Sequence, residues 1–314
     1  MDRREWLRLA LGAGAAFGLD AQSLLAAEPR PLVRRAIPAS GELLPVVGLG
    51  GAATFRSVAQ SADFATLGAV LSAMVERGAS VFDTAPGYGA SEQVAGRLAR
   101  DLGITSRIFW ATKVNVAVRG GAADPAAVRA QIEESFRRIG VGKLDLIQVH
   151  NLGDIPVQLG ILKELKQAGR VRYIGVTSTS KSQYPELERI MRAEPLDFVG
   201  VDYAVDNRDV ERTILPLALE RGIAVMVYVP FGRTSLFRRA GDRPLPDWAA
   251  DFGAGSWAQF FIKYVIGHPA VTVVTPATSQ VRHMIDNVSG GIGRVPDVAM
   301  RRRMARFIDA LPAA

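Results

Sequence analysis

The strongest constraint in this 314-residue chain is an alternation repeated eight times, in which a short, nearly all-apolar, β-rich run is followed by a longer segment of helical periodicity. The runs are Val46–Leu49, Ser80–Phe82, Ile108–Thr112, Leu144–Val149, Val171–Val176, Phe198–Val201, Ala224–Val227 and Val271–Thr275. Runs this short and this apolar suit strands buried on both faces, as in a parallel sheet covered by its crossover helices. Helix ends between them are legible. Asp124-Pro125 supplies an N-cap and a first-turn proline for a helix reaching about Ile139, with Gly140 as its C-cap. Arg77-Gly78, Ala168-Gly169 and Arg221-Gly222 end helices in the same manner. Eight βα units closing on themselves predict an α/β fold, one (β/α)8 TIM barrel. The stretch before Val46 is expected as an N-terminal hairpin or plug, and Asp297–Ala310 as one extra C-terminal helix.

Composition narrows the chemistry. The chain has no cysteine, which removes disulfides, thiolate metal sites and cysteine nucleophiles together. Its net charge of +7 is spread along the chain, with clusters only at Arg34-Arg35 and Arg301-Arg302-Arg303. That pattern describes a solvated surface rather than a nucleic-acid face, with anionic ligands or membrane surfaces as the alternative. Residues 1–27 stand apart from the barrel, which is assigned 28–314. Asp2-Arg3-Arg4-Glu5-Trp6-Leu7-Arg8, an apolar stretch from Leu9 to Leu19 and small residues from Ala21 to Ala27 resemble a twin-arginine signal peptide. The resemblance implies recognition by the twin-arginine export machinery and a periplasmic or exported location in a bacterial envelope. An amphipathic N-terminal helix is the alternative. The apolar stretch is shorter than the ~20 residues that span a bilayer, and no transmembrane segment is read elsewhere. Neither Ala21-Gln22-Ser23 nor Leu25-Ala26-Ala27 is a clean cleavage site, so an uncleaved signal stays open.

In a barrel of this kind chemistry sits where strands end. Asp83 and Tyr88 follow the second strand, Lys113 the third and His150 the fourth. These types suit proton donation to a carbonyl: a tyrosine as acid, a lysine cation lowering the phenol's pKa from about 10, an aspartate holding the lysine, and a histidine orienting the substrate oxygen. Each alone has a plainer reading, as a helix cap, a rim charge, a loop anchor or a satisfied core group.

Three segments then carry a family resemblance: Phe82-Asp83-Thr84-Ala85-Pro86-Gly87-Tyr88-Gly89-Ala90-Ser91-Glu92, Leu144-Asp145-Leu146-Ile147-Gln148-Val149-His150, and Gly169-Arg170-Val171-Arg172-Tyr173-Ile174-Gly175-Val176. Together they resemble the aldo-keto reductases over about Pro45 to Asn287. The resemblance implies NAD(P)H-dependent reduction of an aldehyde or ketone, with Asp83, Tyr88, Lys113 and His150 on the family's catalytic tetrad. It also implies a cofactor site. Thr177 and Ser178 fall where the family holds the nicotinamide amide, and the glutamine that usually helps aligns with Gly200, leaving Asp202 or water to replace it. Tyr228 falls on the residue that stacks on the nicotinamide, Pro230, Phe231 and Gly232 on the pyrophosphate loop, and Thr278, Ser279, Arg282, His283 and Asn287 on the adenosine segment. Ala277 and His283 stand where a lysine and an arginine usually meet the 2′-phosphate, so NADPH over NADH follows from family habit.

Gly48-Leu49-Gly50-Gly51-Ala52-Ala53 satisfies a loose dinucleotide fingerprint. No tyrosine has the lysine four residues on that a short-chain reductase would need, so these glycines, Gly51 included, are read as letting backbone approach a cofactor or substrate. Two other classes remain: a weakly catalytic dinucleotide sensor or accessory subunit of an envelope redox complex, and a metal-dependent hydrolase, for which His150 lacks partner histidines. Phe237, Trp248 and Phe252 in the loop Gly232 to Ser256, with Phe55 and Trp110, are candidates either to line the mouth or simply to pack. No metal site is expected.

Overall fold

A two-stranded antiparallel hairpin, β1 (Arg34–Ala36) with β2 (Leu43–Pro45), leads into the barrel. Its turn needs the left-handed backbone at Gly41, φ +76°. Ile37 and Leu44 are buried and join Phe109, Leu146, Tyr173, Phe198 and Met226 in one inner cluster, so the hairpin is the expected plug. The Arg35 guanidinium anchors it by donating to the carbonyls of Ile266, His268 and Val271. The computed structural model describes residues 31–52, 56, 63–117 and 121–312. The export-signal segment 1–27 and Phe55 lie outside them.

Eight parallel strands follow in sequence order: β3 (Leu49–Gly50), β4 (Val81–Asp83), β5 (Phe109–Val114), β6 (Leu144–His150), β7 (Val171–Ser178), β8 (Phe198–Asp202), β9 (Ala224–Tyr228) and β10 (Val271–Val274). The ring closes where Gly48 N–H donates to Val274 O and Val274 N–H to Val46 O, both at 2.9 Å. Each strand is followed by a covering helix: α1 (Phe64–Glu76), α2 (Ser91–Asp101), α3 (Pro125–Ile139), α4 (Ile155–Gln167), α5 (Tyr184–Ala193), α6 (Ile214–Arg221), then, after a short α7 (Ser235–Ala240), α8 (Trp257–Ile266), and α9 (Val281–Ser289). The caps are those expected: Asp124 accepts from the Ala126 N–H, and Gly140 leaves α3 in the left-handed region.

The C-terminal helix α10 (Val298–Asp309) starts on Asp297, whose side chain accepts from Met300 N–H. It is locked down by Arg301, which is buried and donates to Glu211 (2.6 Å) and to the Tyr264 carbonyl (3.1 Å) as well as to Tyr203. No helix of the described residues is long and apolar enough to cross a membrane.

Two details differ from expectation. The strands run to the rim, so Asp83, Lys113, His150, Thr177 and Ser178 are strand residues rather than loop residues. The parallel ladder continues through them because their alternation still places one residue inward and the next outward. The glycines Gly48 and Gly50 serve the barrel: a Cβ would stand 2.6 Å from Val81 O at Gly48 and 2.7 Å from Thr275 O at Gly50. They let β3 squeeze between β4 and β10.

Candidate active site

Period-2 alternation points Asp83, Lys113, His150, Thr177 and Tyr228 into the upper barrel from five strands. Lys113 Nζ lies 2.8 Å from each Asp83 carboxylate oxygen and 2.9 Å from Thr84 O. The two side chains are only 1% and 3% exposed. Tyr88 hangs from the β4–α2 loop, which turns through Gly89 at φ +59°. The loop is pinned by Tyr88 N–H to Ala85 O (3.0 Å) and Ser91 N–H to Tyr88 O (3.1 Å). Lys113 Nζ sits 5.0 Å from the centre of the Tyr88 ring, and the His150 ring meets that ring edge-on at 6.0 Å. The four tetrad side chains therefore share one mouth.

Their electrostatics divide the labour. Burial works against the Lys113 charge, but the adjoining Asp83 carboxylate overcomes it and holds the ammonium above its ordinary pKa. Burial, reinforced by the Lys113 charge, pushes His150 down to about 4, so its imidazole is neutral at physiological pH. Burial also raises the Tyr88 phenol, and Lys113 offsets only part of that. This corrects the expectation of a phenol acidified by its lysine: desolvation exceeds the pull of the cation. The phenol is thus kept protonated, which is the state a proton donor needs.

A family model described as the aldo/keto reductase family matches residues 46–291. The chain belongs to this family. Among curated relatives it is 26% identical over 271 residues to the aldo-keto reductase str7 of Strobilurus tenacellus, covering 75% of this chain and 80% of that one. Among solved structures, the holo aldo-keto reductase AKR11C1 from Bacillus halodurans superposes with a TM-score of 0.71 at 23% identity over 90% of this chain and 97% of that one. An aldo-keto reductase from Klebsiella pneumoniae in complex with NADPH gives 0.72 at 24% over 88% and 95%. At these identities the two structures speak to the fold, and the fold agrees. The protein is accordingly an oxidoreductase of the aldo-keto reductase kind.

The residues assigned to the family's cofactor site occupy the same rim in different ways. Thr177 faces inward, against Tyr228. Ser178 points the opposite way along β7; its hydroxyl donates to Gln183 Oε1 (2.7 Å) and accepts from Ser180 N–H (3.1 Å). Of the pair, Thr177 is the one that reaches the interior. Asp202 accepts from Tyr184 and Asn207 at 2.6 and 2.7 Å, so both its oxygens are engaged in bracing β8. Gly51 is buried, its N–H given to Asp83 O at 2.7 Å, so it packs under Asp83 rather than offering a free donor.

Further round the same rim, the segment Val229 to Thr234 holds Val229, Arg233 and Thr234 as well as Gly232 at positive φ. Strain of that kind gathers at ligand clamps, and buried Pro230 lies within this segment. Thr278 accepts from Gln280 N–H (3.1 Å), Ser279 is half-buried, Arg282 and His283 are exposed, and Asn287 is buried on α9. Gln280 gives α9 no side-chain cap. Its first-turn N–H groups, with the Ser279 hydroxyl and the Arg282 charge beside them, fit an anionic phosphate.

The aromatic candidates for the mouth pack instead. Trp248 stacks among Phe252, Phe260 and Phe307 beneath the Arg303 guanidinium, and Phe237 packs on Phe231 and Phe261. Trp110 is an even-numbered, outward residue of β5, buried against Phe82 with its indole N–H on Thr105 O.

Several site residues escaped sequence reasoning. Thr84 and Ser91 hydroxyls bond at 3.0 Å, and buried Glu92 accepts from Thr112 at 2.6 Å. Together they tie the Tyr88 loop to the Lys113 strand. The signal was present in Ser91-Glu92, a polar pair at a helix start that ends up buried. Gln148, fully buried beside the tetrad, was visible only as a polar residue at an inward position of an apolar strand. Among the described residues no three His, Asp or Glu side chains gather as metal ligands.

Proposed function

We propose that Tyr88 is the general acid in NADPH-dependent reduction of an aldehyde or ketone to an alcohol. The observation that carries this reading is the convergence of a protonated phenol, a buried Lys113–Asp83 ion pair and a neutral imidazole at one rim. When bound, the nicotinamide cofactor supplies the hydride. The chain's own residues supply the rest. His150, uncharged, hydrogen-bonds the carbonyl oxygen and aligns it with the Tyr88 hydroxyl. Tyr88 gives its proton to that oxygen, and the Lys113 charge stabilises the phenolate left behind. Asp83 keeps Lys113 charged inside the barrel. Thr177 and Tyr228 lie where the nicotinamide would rest, Val229 to Thr234 where the pyrophosphate would pass, and Ser279, Arg282 and the start of α9 where the 2′-phosphate would bind. The Klebsiella pneumoniae relative in complex with NADPH supports that choice of cofactor. Gathering of all four tetrad residues weighs against a sensor without turnover.

The second part of the reading is export. The twin arginines Arg3-Arg4 and the weakly apolar stretch after them support passage of the folded protein, cofactor inside, to the periplasm. Reduced cofactor would then be retained tightly and recycled by a redox partner. Two experiments test the proposal. Titration of the protein with NADPH and NADH, followed by a panel of small aldehydes, should show preferential NADPH binding and its oxidation; binding of neither dinucleotide would overturn the reading. Replacing Arg3 and Arg4 by lysine should keep the chain in the cytoplasm, and unchanged export would overturn the assignment of the signal.

A further inference from the structure

Beside the tetrad the barrel holds a second polar group with no part yet in the chemistry. Tyr228, on β9, reaches across to Gln148 on β6: its Oη lies 2.6 Å from Gln148 Oε1 and 3.4 Å from Asp83 Oδ1. In this arrangement the buried Gln148 amide nitrogen has no partner. A half-turn of the amide gives the nitrogen a partner and leaves the oxygen in the place it vacates. The nitrogen then donates to Tyr228 Oη, and the single phenol proton is released toward Asp83 Oδ1. Room for the phenol comes from Gly200, where a Cβ would stand 2.6 Å from Tyr228 Cε2 and 2.7 Å from its Oη. The family's usual glutamine at this position would evict it.

The hold on Lys113 gives this placement a consequence. The Lys113 ammonium is gripped by Asp83 Oδ1, Asp83 Oδ2 and Thr84 O. Those contacts hold the ammonium 5.0 Å from the centre of the Tyr88 ring, within reach of its hydroxyl. Asp83 Oδ1 has lone pairs for two donors, so a phenol donating to it braces the carboxylate that grips Lys113. We infer that Tyr228 is a positioning residue: held by Gln148 in the space left by Gly200, its hydroxyl braces Asp83 Oδ1 and, through that carboxylate, keeps Lys113 in place beside Tyr88. This role belongs to the hydroxyl and is separate from ring stacking. It rests on the carbonyl-reductase reading above.

The test compares the full chain with Tyr228→Phe and Gln148→Met. Tyr228→Phe keeps the ring, so NADPH should bind within about twofold of wild type. Its kcat should fall about tenfold or more, the worth of one hydrogen bond to a charged group, with KM little changed, and Gln148→Met should move kcat the same way. A second readout needs no turnover: the ¹³Cζ resonance of Tyr88 in cofactor-free, ¹³C-tyrosine-labelled protein, assigned with Tyr88→Phe, should shift in Tyr228→Phe. An unmoved resonance overturns the inference whatever the rates do. So does unchanged kcat in an enzyme that turns over. If the wild-type chain reduces no carbonyl but the resonance shifts, the functional reading fails and the positioning role stands.

Discussion

Removing the ammonium from the buried ion pair tests the electrostatics of the site most sharply. Lys113→Met deletes two bonds of 2.8 Å to Asp83 and one of 2.9 Å to Thr84 O. It strands a carboxylate whose pKa burial already pushes up. Breaking a buried pair from one side costs about 3–5 kcal/mol. For a domain of this size that is a fall in Tm of roughly 6–15 °C. The pH dependence has a definite sign. Without Lys113 only the Tyr228 hydroxyl offsets the desolvation of Asp83, so its folded-state pKa rises further above the unfolded one and the folded state binds more protons. Stability of the variant is then retained below the unfolded pKa and lost as pH rises through the folded one. Adding Asp83→Asn removes the stranded charge and should recover about half the loss or more without restoring activity. Urea and thermal unfolding followed by circular dichroism from about pH 5 to 8 provide the check. A loss under about 1 kcal/mol, or a double variant no more stable than the single one, would refute a tightly coupled buried pair.

Three further outcomes follow from the geometry. Gly200→Ala should destabilise by about 1–3 kcal/mol through overpacking against Tyr228 and lower kcat together with it, measured by denaturation and steady-state rates. Ser178→Ala should cost about 1 kcal/mol through its lost bonds to Gln183 and Ser180 while leaving NADPH affinity nearly unchanged by fluorescence titration, because that hydroxyl faces away from the barrel. The reductive kcat/KM profile should show no histidine inflection between pH 6 and 7, because His150 is held down to about 4; its acid limb should lie near that value. Its alkaline limb should lie above the ordinary tyrosine value, because the Tyr88 phenol is raised and must be protonated to act.

The barrel was legible because its evidence is local. Short apolar runs, Asp124-Pro125 and the helix-ending glycines each declare themselves within a few residues, and the structure keeps seven of the eight strands within two residues of expectation, the first beginning three residues late at Leu49. The tetrad was legible for a related reason, since residues at strand ends of one barrel converge without any need to know its shear. What escaped depended on partners across the ring. That Gly200 yields space to Tyr228, and that Tyr228 reaches Gln148, follows from heights on strands that are not neighbours, which no run of sequence reports. Ser178 and Trp110 were misjudged for a simpler reason: strand parity turns Ser178 outward beside an inward Thr177, and Trp110 outward between Phe109 and Ala111. The direction of the Tyr88 shift also lay beyond the sequence, because it weighs depth of burial against the distance to one cation.

The central claim is that the proton comes from Tyr88, and a single-turnover experiment addresses it directly. Wild type and Tyr88→Phe, each loaded with NADPH and mixed with an aldehyde that the wild type reduces, are compared for the rate of cofactor oxidation, with NADPH affinity measured alongside. Loss of a general acid predicts a rate lower by about 10²–10⁴-fold with affinity within about twofold. A Tyr88→Phe protein that oxidises NADPH at the wild-type rate would contradict it.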